Sequence, residues 1–470
     1  MHNMPRNILI ALLPFLTAFN CVLHARPNVI ILVADDMGYG DPSSYGGTMF
    51  DTPNIDELAK NGILFTDAYV TSPVCAPSRL GLLTGVYQQR FGVQWNPDIF
   101  PRSVPYLQLK EDQRTLPEMF RAGGYHTGIV GKWNFPREAS SAADEVMYIM
   151  NFGGDFFPDE AGRYMGVDGA PFPKDPISRQ QHFWREAKNE DYYLTDKIGN
   201  FAVQFIHESK TREKPFFLYV GFNAPHSPFQ GKEEHKDKFG EIEPKVLALY
   251  AAMNHSMDEN IGKILKKLAK DGLTENTLIF FLSDNGPSPR LLHNWPSEWP
   301  EDLTIGSAGP FSGRKAHFME GGIRVPFIIQ WKGKIEPGKF ENMVSALDIF
   351  PTALAAADCV PLPLHLKLDG TNLLPFLKGE AAGREPHDSL FWSNTEEMGA
   401  VRHGDWKLLV SRNEQKYSLF NLKADPGEQT DLSATNPGIF TELKSRWHEW
   451  LKEMPEAASS VMNRSTENVQ

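Results

Sequence analysis

Two pairs of hard oxygen donors follow long apolar runs in this chain. Asp35 and Asp36 come directly after Asn28-Val29-Ile30-Ile31-Leu32-Val33-Ala34, and Asp284 and Asn285 after Thr277-Leu278-Ile279-Phe280-Phe281-Leu282-Ser283. Three carboxylates and one amide oxygen, with no thiol–imidazole cluster in competition, favour calcium or magnesium over zinc. Adjacent acids repel in a dry site, and a divalent cation removes that cost. Asp35-Asp36 alone reads equally well as a solvated turn or helix cap, and Asp284-Asn285-Gly286 as a simple turn. Both pairs together, at successive strand ends, favour the metal. Cations form a second set. Arg79, Lys132 and Lys315 can hold a tetrahedral anion through charge-assisted hydrogen bonds, although a single lysine is more often solvated surface. His226 lies in Asn223-Ala224-Pro225-His226-Ser227-Pro228. On a loop stiffened by two prolines it suits a general acid near neutral pH. A lone histidine is more often structural, and spacing alone leaves these roles open.

The chain has three cysteines, too few for a disulfide scaffold. Cys21 falls within the N-terminal apolar region. Cys359, after Ala355-Ala356-Ala357-Asp358, reads as a small buried apolar residue. Nothing in the spacing supports a bridge from it to Cys75. Cys75 stands apart because of its neighbours, Cys75-Ala76-Pro77-Ser78-Arg79.

These residues need elements that bring them together. The two runs above, with Thr127-Gly128-Ile129-Val130 and Phe216-Phe217-Leu218-Tyr219-Val220, are apolar at every position, as strands buried on both faces are. Helical patterns lie between them: residues 54–62, starting after a proline and stopping at Gly62 as a C-terminal cap, and Ile261 to Leu268, before Asp271-Gly272. Alternating strands and helices predict an α/β fold with a mostly parallel central sheet flanked by helices. Ligands bind such sheets beyond the carboxyl ends of the strands, which is where the candidate residues fall. After a linker-like stretch, Ala381-Ala382-Gly383-Arg384-Glu385-Pro386, the pattern changes. Ala400-Val401-Arg402, Trp406 to Val410, Tyr417 to Phe420 and a helix near Phe440 to Leu451 predict a smaller antiparallel sheet with one helix. The expected division is 1–25, 26–380 for the catalytic part and 381–470 for the C-terminal part.

Residues 1–25 read as an export signal: Arg6, an apolar run from Ile8 to Leu16, and a small-residue cleavage point at Leu23-His24-Ala25. A retained interfacial anchor is the alternative. Phe19-Asn20 before Cys21 is a poor lipoprotein match, and no later run is long enough to span a bilayer. An exported protein, periplasmic or secreted, with no stable membrane span follows. The 470 residues carry a formal charge of −12, which argues against nucleic acid as a partner. A converging group of cations can still bind an anion in an acidic chain.

The Cys75 block, continued by Leu80-Gly81-Leu82-Leu83-Thr84-Gly85, resembles the signature of the formylglycine-dependent type I sulfatases of the alkaline-phosphatase superfamily. The resemblance spans nearly the whole chain after residue 27. It includes Asn28-Val29 to Asp36, Gly131-Lys132-Trp133, Ala224-Pro225-His226 and Ser283-Asp284-Asn285-Gly286. Glu320-Gly321-Gly322-Ile323-Arg324-Val325-Pro326, Leu419-Phe420-Asn421-Leu422 and Asp425-Pro426 complete it. It implies an alkaline-phosphatase-like fold and hydrolysis of sulfate esters. A maturation enzyme would oxidise Cys75 to formylglycine (3-oxoalanine). Its hydrate would supply one hydroxyl to attack sulfur and a second to expel sulfate. Asp35, Asp36, Asp284 and Asn285 would bind calcium, or magnesium, together with the modified Cys75. Arg79 would orient the hydrate, Lys132 and Lys315 would hold sulfate oxygens, and His226 would protonate the leaving oxygen.

One position departs from the family pattern: most relatives read Gly-Lys-Trp-His where this chain has Gly131-Lys132-Trp133-Asn134. The histidine is assigned to the hydrate, and asparagine can hydrogen-bond there but cannot take the proton. Another group or water accepts the proton, or release is slow, or turnover is lost. Retention of every other catalytic position favours an active enzyme. No hydrophobic hairpin of the steroid-sulfatase kind is present, so a sulfated carbohydrate or polysaccharide is the expected substrate. Two insertion-like segments are placed to shape its pocket, one with His182, Trp184 and Arg185, the other with His293; simple loop packing explains them equally well. The alternatives are a phosphate or phosphonate ester hydrolase of the same superfamily, and a non-catalytic sulfated-glycan binder.

Overall fold

All four apolar runs become neighbouring strands of one sheet. A computed structural model describes residues 26–96, 114–134, 139–150, 154–167, 183–289, 303–358, 367–394, 398–411 and 415–455. The N-terminal segment read as an export signal lies outside them. The main elements, in chain order, are β1 (Asn28–Ala34), α1 (Pro53–Lys60), β2 (Ile63–Phe65), α2 (Cys75–Thr84), β3 (His126–Lys132) and β4 (Glu145–Met150). They continue with α3 (Leu194–Thr211), β5 (Phe216–Gly221), α4 (Lys245–Lys270), β6 (Thr277–Ser283), β7 (Phe327–Gln330), β8 (Gly338–Phe340) and α5 (Ile349–Ala357). The last are β9 (Ser389–Asn394), β10 (Met398–His403), β11 (Trp406–Ser411), β12 (Lys416–Asn421) and α6 (Pro437–Lys452).

The large sheet has eight strands in the order β8-β2-β7-β6-β1-β5-β3-β4. From β6 to β4 every pairing is parallel, and β7 runs antiparallel to both of its neighbours. Alternation explains why the runs show no polar face. Val29, Ile31, Val33, Phe217, Tyr219 and Phe280 enter one core, under α2 and α5. Ile30, Leu32, Leu218, Val220, Ile279 and Phe281 enter the other, under α3 and α4. Because successive side chains point to opposite faces, a strand covered on both sides must be apolar at every position. No helix among the described residues is long and apolar enough to cross a membrane.

One local reading needs correction. The helix does stop at Asn61-Gly62, but Gly62 does not take the positive φ of a left-handed cap. A Cβ at Gly62 would meet the Ile329 carbonyl oxygen at 2.5 Å. Close approach to β7, not capping, demands glycine there. Gly272, after α4, does adopt φ 70°, as expected for a helix stop.

The C-terminal strands form the antiparallel meander β9-β10-β11-β12 with α6 packed on it. Leu390 and Trp392 of β9 join the core of the large sheet, and the Trp392 indole donates to the Val70 carbonyl at 2.7 Å. A buried ionic network fixes the junction. Lys407 of β11 lies 2.8 Å from Glu320 and 2.9 Å from Glu428, with no exposure on any of the three. Arg402 and Arg324 hold Asp67 at 2.7 and 2.6 Å. Removing one partner of such a cluster strands a buried charge, at about 3–5 kcal/mol. Lys407→Ala is therefore expected to lower unfolding free energy by about that amount in chemical denaturation. A loss below about 1 kcal/mol, the value of an exposed pair, would show the network is not what joins the two parts.

Candidate active site

Four parallel strands, β6, β1, β5 and β3, lie side by side and deliver their carboxyl ends to one edge. Asp284-Asn285, Asp35-Asp36, the 223–228 loop and Lys132-Trp133-Asn134 follow them in turn. Gly131 makes the last placement possible. It has φ 82°, and a Cβ there would sit 2.0 Å from the Gly221 carbonyl oxygen. Lys315 arrives on a strap rather than a strand. Its backbone N–H donates to Pro287 O at 2.9 Å and that of Ala316 to Pro73 O at 2.9 Å. The strap thus crosses from the Asn285 turn to the approach of Cys75.

Cys75 is the first residue of α2, and every residue of that helix is buried. Arg79, four residues on, lies on the same face. Its Nε donates to Asp284 Oδ2 at 2.8 Å, and its NH1 to Lys132 O and to the Tyr219 hydroxyl, each at 2.8 Å. One guanidinium therefore ties the helix to three strands. Cys75 is a free thiol, 5% exposed, and Asn96 stands beside it. The Asn96 Nδ2 lies 3.8 Å from Sγ, while its Oδ1 accepts from the Ala76 N–H at 3.1 Å.

Charges in the cluster are closely matched. Lys132 Nζ contacts both oxygens of Asp35 at 2.8 and 2.7 Å, and Lys315 Nζ both oxygens of Asp36 at 2.7 and 2.9 Å. Burial, with Asp284 and Asp36 as like charges, outweighs Lys132 and Arg79 and pushes the Asp35 carboxyl up to about 7. Asp36 goes the other way. Burial raises it, but Lys315, His226 and Lys132 together hold it well below the usual carboxylate range. Asp35, Asp284 and Cys75 bring their donor atoms within 4.8 Å of one another, as do Asp35, Asp36 and His226. The Asn285 side chain donates Nδ2 to Asp36 at 2.7 Å, and its buried Oδ1 has no hydrogen-bond partner. An orphaned amide oxygen beside three carboxylates, one of them resisting ionisation, fits a hard divalent cation.

His226 is set back slightly. Its Nδ1 donates to the Ser227 carbonyl at 2.6 Å, and its Nε2 lies 3.7 Å from Asp36 Oδ2. Asn134 is buried, with φ 46°. Asp36 and Ala316 share that left-handed region, at φ 70° and 74°. Three such residues at one site are strain of the kind that positions functional groups.

The structure thus brings together Asp35, Asp36, Cys75, Arg79, Lys132, His226, Asp284, Asn285 and Lys315. Trp184 and Arg185 are elsewhere in their contacts. The Trp184 ring lies against Gly231, and Arg185 donates to Pro158 O at 3.2 Å and to the Tyr192 hydroxyl at 2.7 Å. His182, His293 and Cys359 lie outside the described residues. Sequence reasoning missed Tyr219 and Asn96. The first carried a signal only as the one hydroxyl in an apolar strand, the second none.

The family model described as Sulfatase matches residues 27–359, and one described as N-sulphoglucosamine sulphohydrolase, C-terminal, matches residues 308–456. The arylsulfatase of Hemicentrotus pulcherrimus is 32% identical, over 90% of this chain and 81% of that protein. The N-acetylgalactosamine-6-O-sulfatase of Bacteroides thetaiotaomicron is 30% identical, over 89% of this chain and 92% of that one. Among solved structures, Ps i-CgsB in complex with k-i-k-neocarrahexaose superposes with a TM-score of 0.78 at 29% identity, covering 94% of this chain and 98% of that one. The alkaline-phosphatase-like architecture expected from the motifs is the one observed.

Proposed function

Because this chain belongs to the sulfatase family and is a sulfuric ester hydrolase, we propose that it cleaves sulfate esters on a carbohydrate chain, with formylglycine derived from Cys75 as nucleophile and calcium at the carboxylate cluster. The observation that carries this reading is one buried cluster in which Asp35 and Asp284 bring their carboxylates within 4.8 Å of the Cys75 thiol, with Arg79, Lys132 and Lys315 paired to Asp284, Asp35 and Asp36 and His226 beside Asp36. A carbohydrate is supported by the name of the Bacteroides relative and by the neocarrahexaose in the Ps i-CgsB complex.

Each side chain has a task that its placement supports. Asp35, Asp36, Asp284 and Asn285 would hold the cation, which supplies Lewis-acid activation and charge neutralisation when bound. Formylglycine at position 75, as its hydrate, would supply an attacking hydroxyl and a second hydroxyl for sulfate release. Arg79, anchored by Asp284, Tyr219 and the Lys132 carbonyl, keeps position 75 on the axis of the cluster. Lys132 and Lys315 each have three N–H donors, enough to engage a sulfate oxygen beside their carboxylate. His226, with Nδ1 committed to Ser227, gives the leaving oxygen its proton from Nε2. From the sequence alone, and without support from placement, His182, Trp184, Arg185 and His293 are proposed to meet the sugar. Residues 1–25 are proposed as an export signal, with 26–380 and 381–470 as the two parts. The exported chain would be periplasmic or secreted and would meet a formylglycine-generating maturation enzyme.

Asn134 cannot take the proton that histidine takes in relatives. Asn134→His is expected to raise kcat roughly tenfold or more with KM unchanged, since both residue types tolerate its left-handed backbone. An unchanged kcat would mean that another group already accepts the proton. The substrate class is tested by rates on matched sulfate and phosphate esters of the same alcohols, followed by a panel of sulfated sugars. Faster turnover of sulfate is expected; a preference for phosphate would overturn the reading.

A further inference from the structure

A second group of donors lies away from the three-carboxylate cluster, where α4 meets the segment after the Gln230–Lys232 strand. His255 and Glu259 are four residues apart on α4 and share one face. His235 reaches them from the short turn Glu233–His235, nine residues beyond His226. His235 Nε2 lies 3.4 Å from Glu259 Oε2, and His255 Nε2 lies 3.6 Å from Glu259 Oε1. The three ligand atoms all fall within 4.8 Å of one another.

Those separations are longer than the ~2.7–3.2 Å of a direct N–H···O hydrogen bond. They approach the ~3.3 Å between neighbouring ligands around a tetrahedral ion with bonds of ~2.0–2.1 Å. The buried His235 ring is oriented by Ser256, whose hydroxyl lies 3.3 Å from Nδ1, so Nε2 is the atom turned toward the group, as second-shell partners of metal-bound histidines arrange it. Lys238 faces His255 as a like charge, and Lys232 lies 3.5 Å from Glu259. Asp196 at 3.1 Å and Glu234 at 2.9 Å neutralise Lys232, so it does not exclude a dication.

We propose that His235, His255 and Glu259 form a binding site for a transition-metal dication of the zinc class, clamping the segment that leads from His226 onto α4. Two imidazoles and one carboxylate favour zinc or cobalt, whereas the all-oxygen set at Asp35, Asp36, Asp284 and Asn285 favours calcium. The two sites therefore select different ions. A clamp here would limit movement of the loop that holds the proton donor.

The test titrates zinc chloride into calcium-saturated, matured protein by calorimetry, with His255→Ala and Glu259→Gln alongside. One equivalent of zinc is expected in excess calcium, with affinity reduced at least about 100-fold in each variant. Cobalt chloride should give visible bands of a tetrahedral or five-coordinate nitrogen–oxygen site, without the thiolate charge-transfer band that cysteine ligation would produce. Circular dichroism and sulfate release in calcium alone should match the parent, which separates lost zinc binding from lost folding. No zinc uptake in excess calcium, a thiolate band, or uptake unchanged in both variants would each overturn the proposal.

Discussion

Cys75→Ala is expected to lower sulfate release by at least about 10⁴-fold while leaving the fold intact. Position 75 heads a helix that is buried along its whole length, and no disulfide depends on its thiol. Truncation removes one buried sulfur and leaves a small void, at a cost near 1 kcal/mol. Arg79 keeps its bonds to Asp284, Tyr219 and Lys132, none of which passes through Cys75. The framework should therefore survive while the attacking atom is lost. Neither Lys132, Lys315 nor His226 can replace it, since the two lysines are protonated and His226 is assigned the leaving proton. Sulfate release and thermal melting on the same preparation check both halves. Near-normal release by the folded variant would remove position 75 from the reaction.

Stripping divalent metal is the other change expected to be large. The cluster has three acidic side chains, Asp35, Asp36 and Asp284, each paired with a cation, Lys132, Lys315 or Arg79, so without a metal the cations are largely occupied by their own carboxylates. A sulfate ester then meets lysines already paired to carboxylates. Unit charges about 4 Å apart near a protein surface interact by about 4 kcal/mol, so a dication changes substrate affinity by several kcal/mol. A chelator is therefore expected to lower kcat/KM by at least about 10³-fold, with calcium restoring it and a rise in KM included in the loss. The orphaned Asn285 oxygen and the raised Asp35 carboxyl point the same way, because both are relieved by a cation. Full activity in a metal-free preparation would leave that oxygen and the three carboxylates unexplained.

The parts of the fold that were legible are those where local pattern and tertiary burial agree. Asn28 to Val33 and Thr277 to Leu282 have no polar face because the sheet is covered on both sides, and that alone marks them as central strands. Their ends then locate Asp35, Asp36, Asp284 and Asn285 without any knowledge of pairing. β9 also faces two cores, with Trp392 in the large-sheet core and Phe391 against the C-terminal one, but its apolar run, Leu390-Phe391-Trp392 between two serines, is too short to stand out. Contacts made across long separations were equally hidden. Tyr219 reaches Arg79 over 140 residues and Lys407 reaches Glu320 over 87, and each looks ordinary in its own segment. Gly62 shows the converse error: glycine was rightly noticed, but the reason was a neighbouring strand that local sequence does not reveal.

The most direct test of the account relates chemistry at position 75 to turnover in one experiment. Preparations matured to different extents are assayed for sulfate release from a sulfated oligosaccharide, and the mass of the peptide spanning Cys75 gives the fraction converted to formylglycine in each. Release is expected to rise in proportion to that fraction and to vanish where only cysteine is found. Release by fully unconverted protein, or none by fully converted protein with calcium bound, would contradict it.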